Sequence, residues 1–192
     1  MKVKMMVQVA AVSLLMVVQL GAAPAKGSGT KIDFIVDQSV SLDDAVLKIL
    51  PKGSELIHPV TMGVYGPRNE AKGENVTVIY KVKSGSPEVM ILFPVQSGKY
   101  RILGTSKLNF GKKNAGDVYA VFFSQADKDD DRELFILCDV EGSYQTAVFD
   151  WSGKVIKRMP SVEKKITGIY PSISVKRALK ESMAEKGAKK KK

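Results

Sequence analysis

Seven residues between two apolar runs, Asp127-Lys-Asp129-Asp-Asp131-Arg-Glu133, place carboxylates at alternate positions of a short polar segment. Alternation sets several hard oxygens on one side of a loop, and calcium takes six to eight such oxygens. Carboxylates this close repel one another by roughly 1 kcal/mol per pair even in water. A bound cation, Lys128 or Arg132 must offset them. The same acidic loop supports a second reading, a metal-dependent exported hydrolase.

Other reactive groups do not gather in the same way. His58, the single histidine, stands beside Pro59 and has no partner motif, so it reads as a loop or surface residue. Cys138, the single cysteine, lies in Leu134-Phe-Ile-Leu-Cys138, where a thiol behaves as a small hydrophobe. No intrachain disulfide can form, and a zinc cluster or a Cys-His pair is hard to assemble. Glycine patterns for a nucleophile elbow, a P-loop or a dinucleotide fold are missing from the sequence. No catalytic residue is assigned, and the balance favours a non-enzyme. Asn75-Val-Thr77 has the form of a glycosylation site but opens a predicted strand.

The loop must be held by strands. From Val60 to Met159 short runs rich in Val, Ile, Phe and Tyr alternate with Gly-Ser and Ser-Gly turns, the pattern of antiparallel β-structure. Residues 62–86 lie over residues 119–143 at an offset of 57, with Gly85 matching Gly142, while Gly98 matches Gly153 at 55. The expectation is an all-β domain over 41–173 made of two four-stranded meanders. The first, 61–103, has strands near 61–65, 76–82, 89–95 and 100–103; the second, 118–158, has strands near 118–123, 133–140, 146–151 and 155–158. Four antiparallel strands recurring at this period describe a propeller-like blade, and two blades cannot close a ring. They either pack together under a helix or find further blades in a partner chain.

The segment from Ala126 to Leu137, followed by Thr146-Ala-Val-Phe-Asp-Trp-Ser-Gly-Lys154, resembles the blade repeat of the FG-GAP/VCBS class, related to the integrin alpha-chain propeller and common in exported bacterial proteins. The resemblance implies blade-like sheets used for binding or scaffolding, and a loop of pattern D-x-D-x-D-G-x-x-D/E that often holds calcium. Asp127, Asp129 and Asp131 match its first three ligand positions. Arg132 stands where the class has glycine, and Glu133 arrives two residues early, where it could equally begin the strand. The first copy has Glu70, Lys72 and Glu74 at the equivalent places, which is no calcium set.

Flanking segments give an address. Lys2 and Lys4, an apolar stretch from Met5 to Leu20, and Ala23-Pro-Ala25 form a signal peptide over 1–25, with cleavage expected after Ala25. That stretch is shorter than the ~20 residues of a spanning helix. The mature chain is expected to be soluble, periplasmic or secreted, with no membrane span. A linker and N-terminal segment fills 26–40. Ser41 caps a helix over 42–50, with Asp43 and Asp44 in its first turn and Pro51 at its end. A second helix is expected over 174–185, within a C-terminal segment 174–192 that ends in a basic tail.

The formal charge of +10 is unevenly spread. Residues 26–175 carry 20 Lys and Arg against 18 Asp and Glu, so the body offers no basic face for specific nucleic-acid binding. Residues 176–192 carry 8 positive and 2 negative groups, and this tail is expected to be drawn weakly to anionic surfaces. The body is expected to bind a protein or a carbohydrate of unknown identity. Aromatic residues 100, 119, 122, 123, 144, 149 and 151 either fill the core or, where exposed, stack on sugars.

Overall fold

β-Branched and aromatic residues set the two central strand pairs. In the computed structural model, which describes residues 33–36, 39–66, 73–83, 85–129, 131–151 and 155–189, these pairs are β3 (Asn75–Val82) with β4 (Glu88–Gln96), and β9 (Glu133–Val140) with β10 (Ser143–Trp151). Each grows into a meander. β2 (Ser54–Gly63) and β5 (Lys99–Lys107) flank the first pair, and β1 (Phe34–Ile35) adds to the outside of β5, giving the order β1-β5-β4-β3-β2. β8 (Val118–Ser124) and β11 (Ile156–Arg158) complete the second, ordered β11-β10-β9-β8. Between them lies a small hairpin of β6 (Asn109–Phe110) and β7 (Lys113–Asn114). All pairings are antiparallel, so the expected all-β class with two four-stranded meanders is observed.

Alternation along each strand feeds three cores. Ile79, Val89 and Ile91 of the first sheet meet Leu134, Ile136, Cys138, Ala147 and Phe149 of the second. On the outer face of the first sheet, Val76, Val78, Tyr80 and Leu92 are closed over by α1 (Leu42–Leu47) through Ala45 and Val46. On the outer face of the second, Phe122, Phe135, Leu137 and Val148 meet Val162 and Ile166 of α2 (Pro160–Ile166) and Val175 and Leu179 of α3 (Ser172–Lys189). The order of layers is helix, sheet, sheet, helices.

The register refines the expected repeat. Residues 57 apart correspond between β3 and β9: Ile79 and Ile136 both face the shared core, while Val78 and Phe135 both face helices. Thr61 pairs with Thr77 whereas Phe123 pairs with Leu134, so β8 is displaced 62 residues from β2, not 57. The longer connection in the first hairpin accounts for this. Matching strands therefore bury the same face against each other, whereas successive blades around a propeller axis bury opposite faces. Helices, rather than further blades, cover what remains.

Local chemistry explains the boundaries. The Ser41 side chain accepts from Asp44 N–H at 3.1 Å, capping α1 as its sequence implies. Pro160 occupies the first turn of α2, where a missing N–H costs nothing. Pro59 sits in edge strand β2 beside two register shifts, as expected for a residue that cannot donate to a ladder. Several expectations are corrected. β2 starts at Ser54 rather than near 61, and α1 ends at Leu47 rather than 50. Part of the 26–40 segment is a strand, since Phe34 pairs with Tyr100; and α3 runs past the expected stop through Gly187 to Lys189. Residues 1–32, with the expected signal peptide, and 190–192 of the basic tail lie outside the described residues, as do Glu70 and Lys72. Among the described residues no helix is long and apolar enough to cross a membrane.

Candidate metal centre

The acidic segment connects β8 to β9 and is shaped by its own carboxylates. Asp127 Oδ1 accepts from Asp129 N–H and Asp129 Oδ1 from Asp131 N–H, each at 3.0 Å, two successive turns of the kind Asp favours. Glu133 Oε2 accepts from Ala126 N–H and closes the loop at its base. The other sheet fastens it: Gly66 N–H donates to Arg132 O at 2.9 Å.

Carboxylate oxygens of Asp127, Asp129 and Glu133 all lie within 4.8 Å of one another. Glu133 is the buried member at 1 % exposure, and its Oε1 has no hydrogen-bond partner among the described residues. Burial foremost, with the charges of Asp127 and Asp129 adding, pushes its carboxyl up to about 7 despite the Ala126 N–H. Asp129 is also raised, by burial first and then by Asp127, with the Asp131 N–H opposing. Three hard oxygen donors and an unpartnered buried carboxylate oxygen fit a hard divalent cation.

Of the four residues singled out in the sequence, the structure brings Asp127, Asp129 and Glu133 together and leaves Asp131 out of the triad. The Asp131 backbone is committed to Asp129, and Arg132, anchored through its carbonyl, carries the chain straight into β9. Glu133, the first residue of that strand, thus takes the place of a later ligand. Its pairing with Ser124 at the end of the β8–β9 ladder fixes it there. Beside the loop a cleft of about 440 Å³ is lined by Phe123, Ser124, Gln125, Arg132 and Lys176.

The remaining candidates settle into structural positions. His58 Nδ1 lies 2.8 Å from Pro59 O in the irregular part of β2. Cys138 is fully buried in the shared core, with burial pushing its thiol up to about 12. Tyr100, Phe122, Phe149 and Trp151 are core residues and Phe123 stacks on Tyr65 at 4.8 Å. Tyr119 and Tyr144 are exposed instead, joined by Tyr170, which the alternation of strand residues could not reveal because it lies between α2 and α3. Comparison of the chain with family models, curated proteins and solved structures finds no match.

Proposed function

We propose that the protein is an exported, non-enzymatic binding or scaffold protein of the FG-GAP/VCBS type, whose β8–β9 loop holds calcium through Asp127, Asp129 and Glu133. The observation that carries the cation reading is Glu133: a buried carboxylate with one oxygen unpartnered, converging with two further carboxylates. An unpaired buried charge is costly, and a cation offsets it. Calcium bound there would tie the strand end of β9 to the loop tip and stiffen the junction between the sheets, where Gly66 already holds Arg132. Export rests on the Lys2, Lys4 and Ala23-Pro-Ala25 pattern, and the type on the resemblance of the loop and following strand to that repeat.

Titration calorimetry with calcium chloride tests this. Saturable binding that disappears in Asp129→Ala is expected. Saturable binding unaffected by that substitution, or no binding at all, would remove the loop as a calcium site.

A further inference from the structure

At the end of the second sheet opposite the acidic loop, three tyrosines from three elements meet at the surface. Tyr119 of β8, Tyr144 of β10 and Tyr170 from the α2–α3 connection are 47, 37 and 51 % exposed. Tyr144 and Tyr170 stack at 4.5 Å and 16°, and Tyr119 stands edge to face against both, at 5.7 and 5.9 Å. Cross-strand geometry sets a carboxylate beside them. Asp139 lies directly opposite Tyr144, and because Cys138 faces the shared core, Asp139 and Tyr144 project from the outer face. Asp139 is held by accepting from Gly142 N–H at 3.2 Å, and its own N–H donates to Asp117 O at 2.8 Å. The Tyr119 phenol is raised by loss of solvent around it and then by Asp139, Tyr144, Asp117 and Tyr170.

We propose that this surface is a glycan-binding platform, in which the faces of Tyr119, Tyr144 and Tyr170 not turned toward one another stack on pyranose rings and Asp139 and Asp117 accept hydrogen bonds from sugar hydroxyls. A pyranose with equatorial hydroxyls offers an apolar C–H face to an aromatic ring and a rim of donors and acceptors to its surroundings. Phenol rings with carboxylates beside them match both parts. Asp117, whose carbonyl accepts from Asp139 N–H, also borders a cleft. The cavity, of about 370 Å³, is lined also by Asn114, Glu55 and Lys81 and is within the size range of small-ligand sites. That lining mixes an amide with charges of both signs, which suits the hydroxyls of a further sugar better than a cationic or an anionic chain. An uncharged oligosaccharide is the occupant so defined. The inference deepens the binding reading above by naming its ligand class, and it stands apart from the cation loop at the far end of β8 and β9.

Calorimetry and tyrosine difference absorption with cellohexaose, chitohexaose and xylohexaose test it, and Trp151, being buried, leaves the exposed tyrosines to report. Saturable binding of at least one hexasaccharide is expected, with a tyrosine spectral shift. Tyr144→Ala and Tyr170→Ala should each weaken it about tenfold, with melting unchanged; Tyr170 lies outside the sheets, so its variant decides if Tyr144→Ala misfolds. Asp129→Ala should bind the sugar normally, so loss of calcium binding and loss of sugar binding are read separately. No response to any of the three at about 1 mM sugar overturns the proposal. So does binding that Tyr170→Ala leaves intact, or a tyrosine shift produced only by an oligolysine peptide.

Discussion

Gly66 lies directly against the ring of Trp151: a Cβ built on the glycine would come within 1.6 Å of Trp151 Cε3. The contact joins the strand end of β2 to β10, across the two sheets. Gly63 makes a similar approach, since a Cβ built on it would come within 2.0 Å of Phe123 Cε2, and Tyr65 between them stacks on that ring. The same Gly66 donates its N–H to Arg132 O, one residue before Glu133. Packing between the sheets and the shape of the acidic loop are therefore one arrangement.

Replacing Gly66 with alanine should be far more damaging than an ordinary glycine substitution. Its φ of +76° disfavours any side chain, and the methyl collides with a buried indole. Left-handed backbone costs about 1–2 kcal/mol and overpacking a further ~1–3 kcal/mol. Gly111→Ala is the control, since its φ is +66° with nothing within 4 Å, so only the backbone cost applies. Urea unfolding should show Gly66→Ala destabilised by about twice as much as Gly111→Ala or more. Equal losses in the two variants would mean that Trp151 moves aside freely.

These glycine contacts mark where sequence reading stops. Strands β3, β4, β9 and β10 were legible because Val, Ile, Leu and Phe runs end at glycine turns, and β9 matches its expected bounds of 133–140. The α1 cap was legible because Ser41 and Asp44 are local partners. Phe34, β6, β7 and α2 were not, because two-residue strands and a seven-residue helix carry too little periodicity and take their place from distant contacts. At the acidic loop the carboxylate spacing marked the right segment. It could not show that Glu133, rather than Asp131, turns inward, since that depends on burial against the other sheet.

Calcium binding should separate Glu133 from Asp131. Glu133→Gln keeps the Ala126 contact available to its amide oxygen but removes the buried charge, and is expected to weaken binding at least tenfold. Asp131→Asn retains the backbone N–H to Asp129 and should bind within about threefold of the parent, a difference under about 1 kcal/mol. The reverse ranking in calorimetry would return Asp131 to the ligand set.

The protein should lose stability in alkali through its interior. The Cys138 thiol is raised from 9.0 to about 12 by burial, and Tyr65 and Tyr80 are raised from 10.0, also chiefly by burial. Each group is neutral in both states at neutral pH. As pH climbs through its ordinary value the unfolded chain releases the proton first, so unfolding gains free energy until the folded value is passed. Melting temperature should hold steady between about pH 7.5, above the raised Glu133 value, and pH 8.5, and fall steadily above that. Cys138→Ala should remove the part of that fall that begins near pH 9, whatever its effect on melting at pH 7. A native thiol that reacts promptly with a disulfide reagent at pH 8 would contradict the burial on which this rests.

The basic end of the chain should act without contributing to the fold. Val175 and Leu179 anchor α3 in the core beneath the second sheet, whereas the lysines concentrated at 186–192 come after these anchors. Charge in water works through a field that salt screens over ~8 Å at physiological ionic strength. Truncation after Glu185 removes 5 lysines and leaves the anchors Val175 and Leu179 in place. Binding to vesicles containing an anionic phospholipid should fall sharply at low salt in the truncated protein, and the parent should lose the same binding as salt is raised. Melting temperature should stay within about 1 °C, because Val175 and Leu179, which anchor α3, are retained. Vesicle binding that survives truncation would assign the attraction to the body, whose 20 cationic and 18 anionic side chains over 26–175 otherwise leave it close to neutral.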